Sequence, residues 1–416
     1  MNMFWLMLYI FFAAYDYYDP LGIASYCTTS KLLAAFYIIS SVLKKFSIRK
    51  ILYINLGVVS MFVFCGYFLL ITCIKAAEYG WDVSSESLSS IVSILLCMVM
   101  ASCLVREMQV QKVRDKAGMV FLMSIISVAV LLLLGIGVSY KGDRIRFFGC
   151  NSNTLGFYGV MALVLPFVMS KTVFSGWSHL CKAVFYASSV LAGLYLIYES
   201  GSLGALVIVG VTVPIILIRF VMAKNKLLHW PLLIVFLLFG VRVIIQDFAT
   251  EDSVAYQRLV TMSERTDVYD ENRILSGRLH IWENSWRIFR SSPLTGVGDT
   301  MYRWEMLRLT GVEYSTHSLY LELLAKTGLI GFALFMVPIL VLLIKVIVRF
   351  DLQLLALLLA VFLMWGKAGG GLSDKVLWFL VAYIVSGTLY PKPGNVPEPT
   401  ASSLPTPEQT RRVCNS

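Results

Sequence analysis

ILYINLGVVSMFVFCGYFLLITCI, residues 51–74, contains no charged side chain and decides the fold class. Crossing hydrocarbon takes roughly 20 apolar residues of helix, and this run supplies them. Inside a bilayer each backbone amide has to be paired within its own segment, so the run is expected to be helical. Met119–Ser139 and Leu203–Met222 are further apolar runs of that length. The whole chain is 58% hydrophobic and 14% charged. A soluble domain is about half apolar and about a quarter charged. The expected fold is all-α, a polytopic integral membrane protein.

Hydropathy predicts about twelve transmembrane helices. Their approximate cores are 3–15, 32–43, 51–74, 88–105, 118–139, 153–170, 181–198, 203–222, 230–246, 319–348, 351–366 and 376–390. Met1–Tyr15 lacks a basic n-region and a clean small-residue cleavage site, so it reads as an uncleaved first span. The division that follows is a block of helices over 1–246, one large external (periplasmic) loop over 247–318 with short helices in it, and a second block over 319–390. The tail, 391–416, has six prolines and no apolar periodicity, and is expected to be disordered.

The net charge of +10 is spread over short connections, not gathered on one face. Lys44, Lys45, Arg49 and Lys50 form one group, Arg106, Lys112, Arg114 and Lys116 another, Arg219, Lys224 and Lys226 a third. A nucleic-acid partner would need a contiguous basic surface with reading or stacking residues, and is excluded on that ground. Basic connections mark the cytoplasmic side instead. Setting the N-terminus inside puts 44–50, 106–117, 171–180, 223–228, 349–350 and the tail in the cytoplasm. The opposite set, 16–31, 75–87, 140–151, 199–202, 247–318 and 367–375, is then external and richer in Asp, Glu, Trp and Tyr. Both termini are therefore expected in the cytoplasm. The eight cysteines show no CxxC and read as free thiols in apolar surroundings.

Within the insert, Leu279, Trp282, Trp286 and Phe289 recur at helical spacing opposite Glu283, Arg287 and Arg290. Such a helix could lie in the headgroup layer or pack on other external protein. Three external features could carry chemistry: Gly142-Asp143-Arg144-Ile145-Arg146, Ser276-Gly277-Arg278, and His317. Guanidinium forks match phosphate oxygens in pairs and stay charged at any working pH. An imidazole titrates near neutrality and can serve as a general base. For any one arginine alone a phospholipid-headgroup anchor is the plainer reading, and for His317 alone a structural hydrogen bond is as good.

Taken together the residues resemble the O-antigen ligase and O-antigen polymerase superfamily of bacterial surface-polysaccharide enzymes. The resemblance rests on Ser276-Gly277-Arg278 with Trp282, Ser292-Pro293-Leu294-Thr295-Gly296-Val297-Gly298, His317 through Leu324, and Thr327-Gly328-Leu329-Ile330-Gly331. A weaker echo covers Asp143-Arg144-Ile145 with Asn151-Ser152-Asn153, and Gly370 through Asp374. It implies a metal-independent inverting glycosyl transfer with no cofactor, on the external face of the bacterial cytoplasmic (inner) membrane. The implied donor is a glycan on undecaprenyl diphosphate; the acceptor is another glycan, or the lipid A core for a ligase. A flippase and a chain-length regulator are the further partners such a pathway implies, beside the membrane lipids. By position, Arg144 and Arg278 would bind the diphosphate and His317 would orient or deprotonate the acceptor hydroxyl. Arg146, Arg273 and Asp374 are auxiliary candidates, and no metal ligands are implied.

One departure stands out. Glu199-Ser200-Gly201-Ser202-Leu203-Gly204 has leucine where family members usually carry arginine. A third donor-side cation is then absent or supplied by Arg146 or Arg273. Polymerase is taken ahead of ligase because that activity serves many kinds of surface polysaccharide. Transfer to a protein side chain remains open. A transporter of polysaccharide or lipid-linked glycan is the alternative from another class. Transporters place ionisable residues near the midplane, whereas these spans are nearly free of charge.

Overall fold

The computed structural model describes residues 2–15, 28–45, 51–141, 144–148, 150–169, 171–174, 176–222, 278–311, 316–367 and 371–390. The expected ninth span, 230–246, Arg273, the insert up to 277 and the tail lie outside the described residues. The described helices are α1 (Asn2–Ala13), α2 (Thr29–Lys45), α3 (Leu56–Glu78), α4 (Ser85–Glu107), α5 (Gln111–Leu133), α6 (Ser152–Val168), α7 (His179–Ser200) and α8 (Leu203–Met222). They continue as α9 (Arg278–Ser291), α10 (Gly298–Thr310), α11 (Leu319–Val348), α12 (Leu352–Lys367) and α13 (Lys375–Leu389). A two-stranded antiparallel hairpin, β1 (Val138–Lys141) and β2 (Arg144–Phe147), joins α5 to α6.

Five of these helices, α3, α4, α5, α7 and α11, are long and apolar enough to cross a membrane. Their outer faces keep large apolar side chains uncovered, such as Val59, Val63, Leu70 and Ile74 on α3 and Val337, Val341 and Ile344 on α11. Soluble monomers rarely expose contiguous apolar patches of that extent, so these faces suit lipid. Five shorter apolar helical stretches accompany them. Among them α6 and α13 are buried around nearly their whole circumference. A helix that is apolar on every side belongs in the centre of a bundle. Gly159 of α6 meets Gly193 of α7 so closely that a Cβ on Gly159 would stand 2.7 Å from the Gly193 carbonyl oxygen. Small residues let helix backbones approach in this way.

The connections sort to opposite ends. At one end the basic connections close on α13: Arg114 donates to the Tyr383 carbonyl, Arg349 to those of Thr388 and Tyr390, and Tyr390 to that of Met108. At the other end the 75–87 connection meets α10, where Ser84 N–H donates to Thr300 Oγ1.

Three expectations are revised. The fifth apolar run stops being helical at Leu133, and residues 138–147 form the hairpin. Gly135, with φ +71°, turns the chain out of the helix. Ile145 and Phe147 then face the core with Arg146 between them, the two-residue period of a strand. The third run becomes a helix only at Leu56, because Asn55 caps it by accepting from Val58 N–H. The long tenth run is broken at Gly328, whose φ of 62° and ψ of −168° are not helical.

Candidate active site

The described part of the insert is α9, the turn 292–297, α10 with Gly311, and residues 316–318, which lead into α11. The face of α9 that packs inward is Ile281, Ser285, Ile288 and Phe289, against Tyr302, Met306 and Ala325. This face is offset from the expected aromatic stripe: Trp286 is exposed and carries Arg290 over its ring at 5.7 Å. The helix packs on protein through this offset face. Trp282 sits at the edge of that face and donates from Nε1 to the Thr316 carbonyl at 2.9 Å.

The glycine-bearing motifs fold onto each other. The break at Gly328 frees the amides of Leu329 and Ile330, which donate to the Pro293 and Leu294 carbonyls at 2.9 and 3.1 Å. Val297 N–H returns the contact to Ala325 O at 3.1 Å. Gly296 and Gly328 cross where φ is +75° and +62°. A Cβ on Gly296 would lie 2.5 Å from Lys326 O, and one on Gly328 2.4 Å from Leu294 O. No other residue type fits either position. Tyr67 of α3 donates to the Thr295 carbonyl at 2.9 Å and ties the turn to the bundle.

Beneath this crossing lies a buried ionic chain. Arg303 Nε donates to Asp299 Oδ2 at 2.9 Å, and Lys326 Nζ stands 2.6 Å from Asp299 Oδ1 and 2.5 Å from Glu322 Oε1. The Asp299 side chain has no exposed surface. Burial pushes its carboxyl pKa up, but Lys326 and Arg303 more than offset that and hold it below the usual carboxylate range. Two acids and two bases leave the chain formally neutral. It reaches the candidate base through Glu322, whose Oε2 is 3.4 Å from Thr316 Oγ1.

Thr316 fixes the backbone around His317. Its hydroxyl donates to Ser318 O at 2.7 Å and accepts from Ser318 N–H at 3.1 Å. Its carbonyl is the one that Trp282 holds. His317 lies between two buried residues, is itself exposed, and has φ +52°. A non-glycine residue in the left-handed region carries strain that persists only where its surroundings impose it.

Arg278 opens α9 one helical turn before Trp282, on the same side of the helix, so its backbone and His317 belong to one substructure. Of its side chain nothing is described. Arg144 stands in β2 opposite Lys141 and Arg146 opposite Ser139, on a hairpin that packs against α6 and α7. The Arg144 side chain is likewise undescribed, and the hairpin belongs to a different part of the fold from α9 and α11. Asp374 caps α13 by accepting from Val376 N–H at 2.9 Å and Leu377 N–H at 3.2 Å. Leu203 begins α8 directly after Ser202, whose hydroxyl donates to Asn153 Oδ1 at 3.2 Å. The 199–204 segment and the Asn151-Ser152-Asn153 echo therefore meet at the head of α6. Among the described residues, no three His, Cys, Asp or Glu side chains gather as a metal site would require.

Residues 187–336 match the family model for O-antigen ligase. The matched stretch is similar to the O-antigen ligase and polymerase superfamily. It runs from within α7 to just beyond the Gly328 break, so it contains Arg278, Arg273, His317 and the whole ionic chain. The hairpin and Asp374 fall outside it. A comparison with curated proteins returns no match. The match supports a membrane glycosyltransferase of ligase or polymerase type.

Thr316, Asp299, Arg303, Glu322 and Lys326 escaped the sequence reading. One signal for them was present: Glu322 and Lys326 are four apart at the head of an otherwise apolar helix, where charge is costly unless paired.

Proposed function

We propose that this chain is an inverting membrane glycosyltransferase that moves a glycan from undecaprenyl diphosphate onto a sugar hydroxyl, extending a surface polysaccharide. The supporting observation is the bracing of His317. The neighbouring Thr316 bonds across it to Ser318, is itself held by Trp282, one helical turn along α9 from Arg278, and meets the ionic chain through Glu322. Strained, exposed and rigidly backed, it has the setting of a residue whose position matters more than its packing.

In this reading His317 takes the proton from the acceptor hydroxyl. The oxygen attacks the anomeric carbon, a new glycosidic bond forms, and the bond to the diphosphate oxygen breaks with inversion. Negative charge builds on the departing diphosphate, where Arg278 and Arg144, aided by Arg146 and Arg273, would stabilise it. The lipid diphosphate is already an activated donor, so binding and positioning supply most of what the protein must provide. Asp374, which caps α13, is an auxiliary candidate on the acceptor side. The reaction is placed on the external face of the cytoplasmic membrane, with both termini inside.

Purified protein incubated with a defined undecaprenyl-diphosphate repeat tests this directly. Chain growth without lipid A core is expected. Transfer only when core is supplied would make the chain a ligase, and no transfer to either acceptor would overturn the reading. Arg278→Lys keeps the charge but loses the fork, and is expected to cut turnover by about tenfold or more. An unchanged rate would reduce Arg278 to a surface anchor.

A further inference from the structure

At the end of the bundle where α10 sits, a groove of about 470 Å3 opens between α10 and the 75–87 connection. Its walls include Trp81, Asp82, Glu86, Thr300, Arg303 and Trp304. The two indoles stand 5.1 Å apart at 86°, making an aromatic corner. Arg308 lies over the Trp304 ring at 5.6 Å and holds it in place. The polar wall behind is equally fixed. Thr300 Oγ1 accepts from Ser84 N–H at 3.4 Å and pairs with Ser87 Oγ at 3.1 Å, while Asp299 holds Arg303 at 2.9 Å. Asp82 and Glu86 are exposed at the rim and make no side-chain hydrogen bond or ion pair among the described residues.

This combination is selective. Indole faces carry negative potential and attract polarised C–H groups, such as the apolar face of a pyranose ring. Carboxylates accept hydrogen bonds without donating them, and sugar hydroxyls and amino groups are donors. Among the described lining residues the one cation, Arg303, is engaged by Asp299, so the carboxylates of Asp82 and Glu86 give the groove a negative rim. That sign repels the phosphate of an anionic lipid headgroup, the other surface that tryptophans at a membrane boundary commonly meet.

We propose that this groove is a saccharide subsite that holds a neutral or amino-sugar ring of the glycan, away from the reacting ends. The proposal rests on the glycan-transfer reading for the identity of the sugar. Arg303, in the wall of the groove, is also the outer link of the ionic chain that braces His317, so the two regions share one rigid support.

The test uses full-length protein in neutral detergent and, as probe, the water-soluble oligosaccharide released from the lipid-linked repeat by mild acid. Titration calorimetry is expected to give saturable binding. Trp304→Ala and Glu86→Gln should each weaken it about tenfold or more, while Trp286→Ala, an exposed indole outside the groove, leaves it unchanged. Glu86→Gln and Asp82→Asn remove only rim carboxylates, so they remain informative even if Trp304→Ala disturbs folding. The proposal is overturned by absence of saturable binding, or by binding that neither Trp304→Ala nor Glu86→Gln alters. The assay is separable from the transfer reading. Transfer that survives His317→Ala would refute the base assignment and leave sugar binding untouched, whereas a dead His317→Ala with an inert groove would refute the subsite alone.

Discussion

The head of α11 and the α6–α7 contact are both tightly packed, yet they are held together by opposite means. Gly159 and Gly193 bring α6 and α7 together mainly through shape, among apolar side chains and with one buried hydrogen bond, from Ser189 Oγ to the Ala162 carbonyl at 2.6 Å. Around Gly296 and Gly328 the backbones also touch, but the contact is set over a largely buried chain of four charges, Arg303 alone part-exposed, and hydrogen bonds from amides that a broken helix set free. Elsewhere in the described bundle the buried charges are few and sit near helix starts, Arg114 and Asp115 in α5 and Lys375 in α13. The insert, by contrast, has to hold one exposed histidine in a conformation its backbone resists. Desolvating four charged groups is costly, and it is tolerated where it fixes a geometry that apolar packing would leave loose.

The sharpest way to break this contrast is to remove one charge from the chain. Lys326→Met leaves Asp299 and Glu322 without their shared cation and should destabilise the insert by about 3–5 kcal/mol. Loss of transfer and early proteolysis between α9 and α11 would register it. The same chain fixes an acid response. Because the folded Asp299 pKa is lowered, its contribution is full above the unfolded value of about 4 and is lost only as pH falls towards the folded one. Thermal stability of the insert should therefore be flat from neutral pH down to about 5, and Asp299→Asn should remove the decline seen at lower pH.

Next in size is Thr316→Val, which keeps the shape and deletes the hydroxyl that brackets His317. A turnover loss of about a hundredfold is expected with the melting temperature barely moved, and Thr316→Ser should restore most of it. Glycine substitution separates the regions again. Gly328→Ala meets backbone at 2.4 Å with a positive φ and should cost about 2 kcal/mol or more. Gly210→Ala, in α8 with nothing within 4 Å, should be neutral or stabilising by about 0.5 kcal/mol. The smallest effect belongs to the exposed Lys75–Glu78 pair, where Lys75→Ala should shift stability by less than about 0.5 kcal/mol.

Much of the bundle was legible in the sequence because an apolar run of sufficient length has few alternatives in a membrane. The run ending near Ser139 misled for a physical reason: Gly135-Ile136-Gly137-Val138 is as apolar as a helix, and hydropathy does not distinguish a turn and strand from the last turn of a span. On α9 the aromatic residues drew the eye to one stripe. The buried face one residue away uses Ile281, Ser285 and Ile288, and Ser285 is there because its hydroxyl pairs with that of Tyr302 at 3.1 Å. Arg278 and His317 could be linked from motif order, but their real connection runs through Trp282 and a carbonyl, which no spacing rule reveals. Asp299, Glu322 and Lys326 come together only after the chain turns back on itself at two glycines, so their pairing is a property of the fold. Asp374 had the residue type and location of a functional acid, and local geometry gives it a cap.

The central claim is that the insert's polar framework acts on transfer through His317. Turnover of His317→Ala, Thr316→Val and the double variant on one defined lipid-linked repeat tests it most directly. The account predicts that the double variant is no slower than His317→Ala alone, because Thr316 has nothing left to position. Losses that multiply, or a His317→Ala enzyme that elongates the glycan at the parental rate, would contradict it.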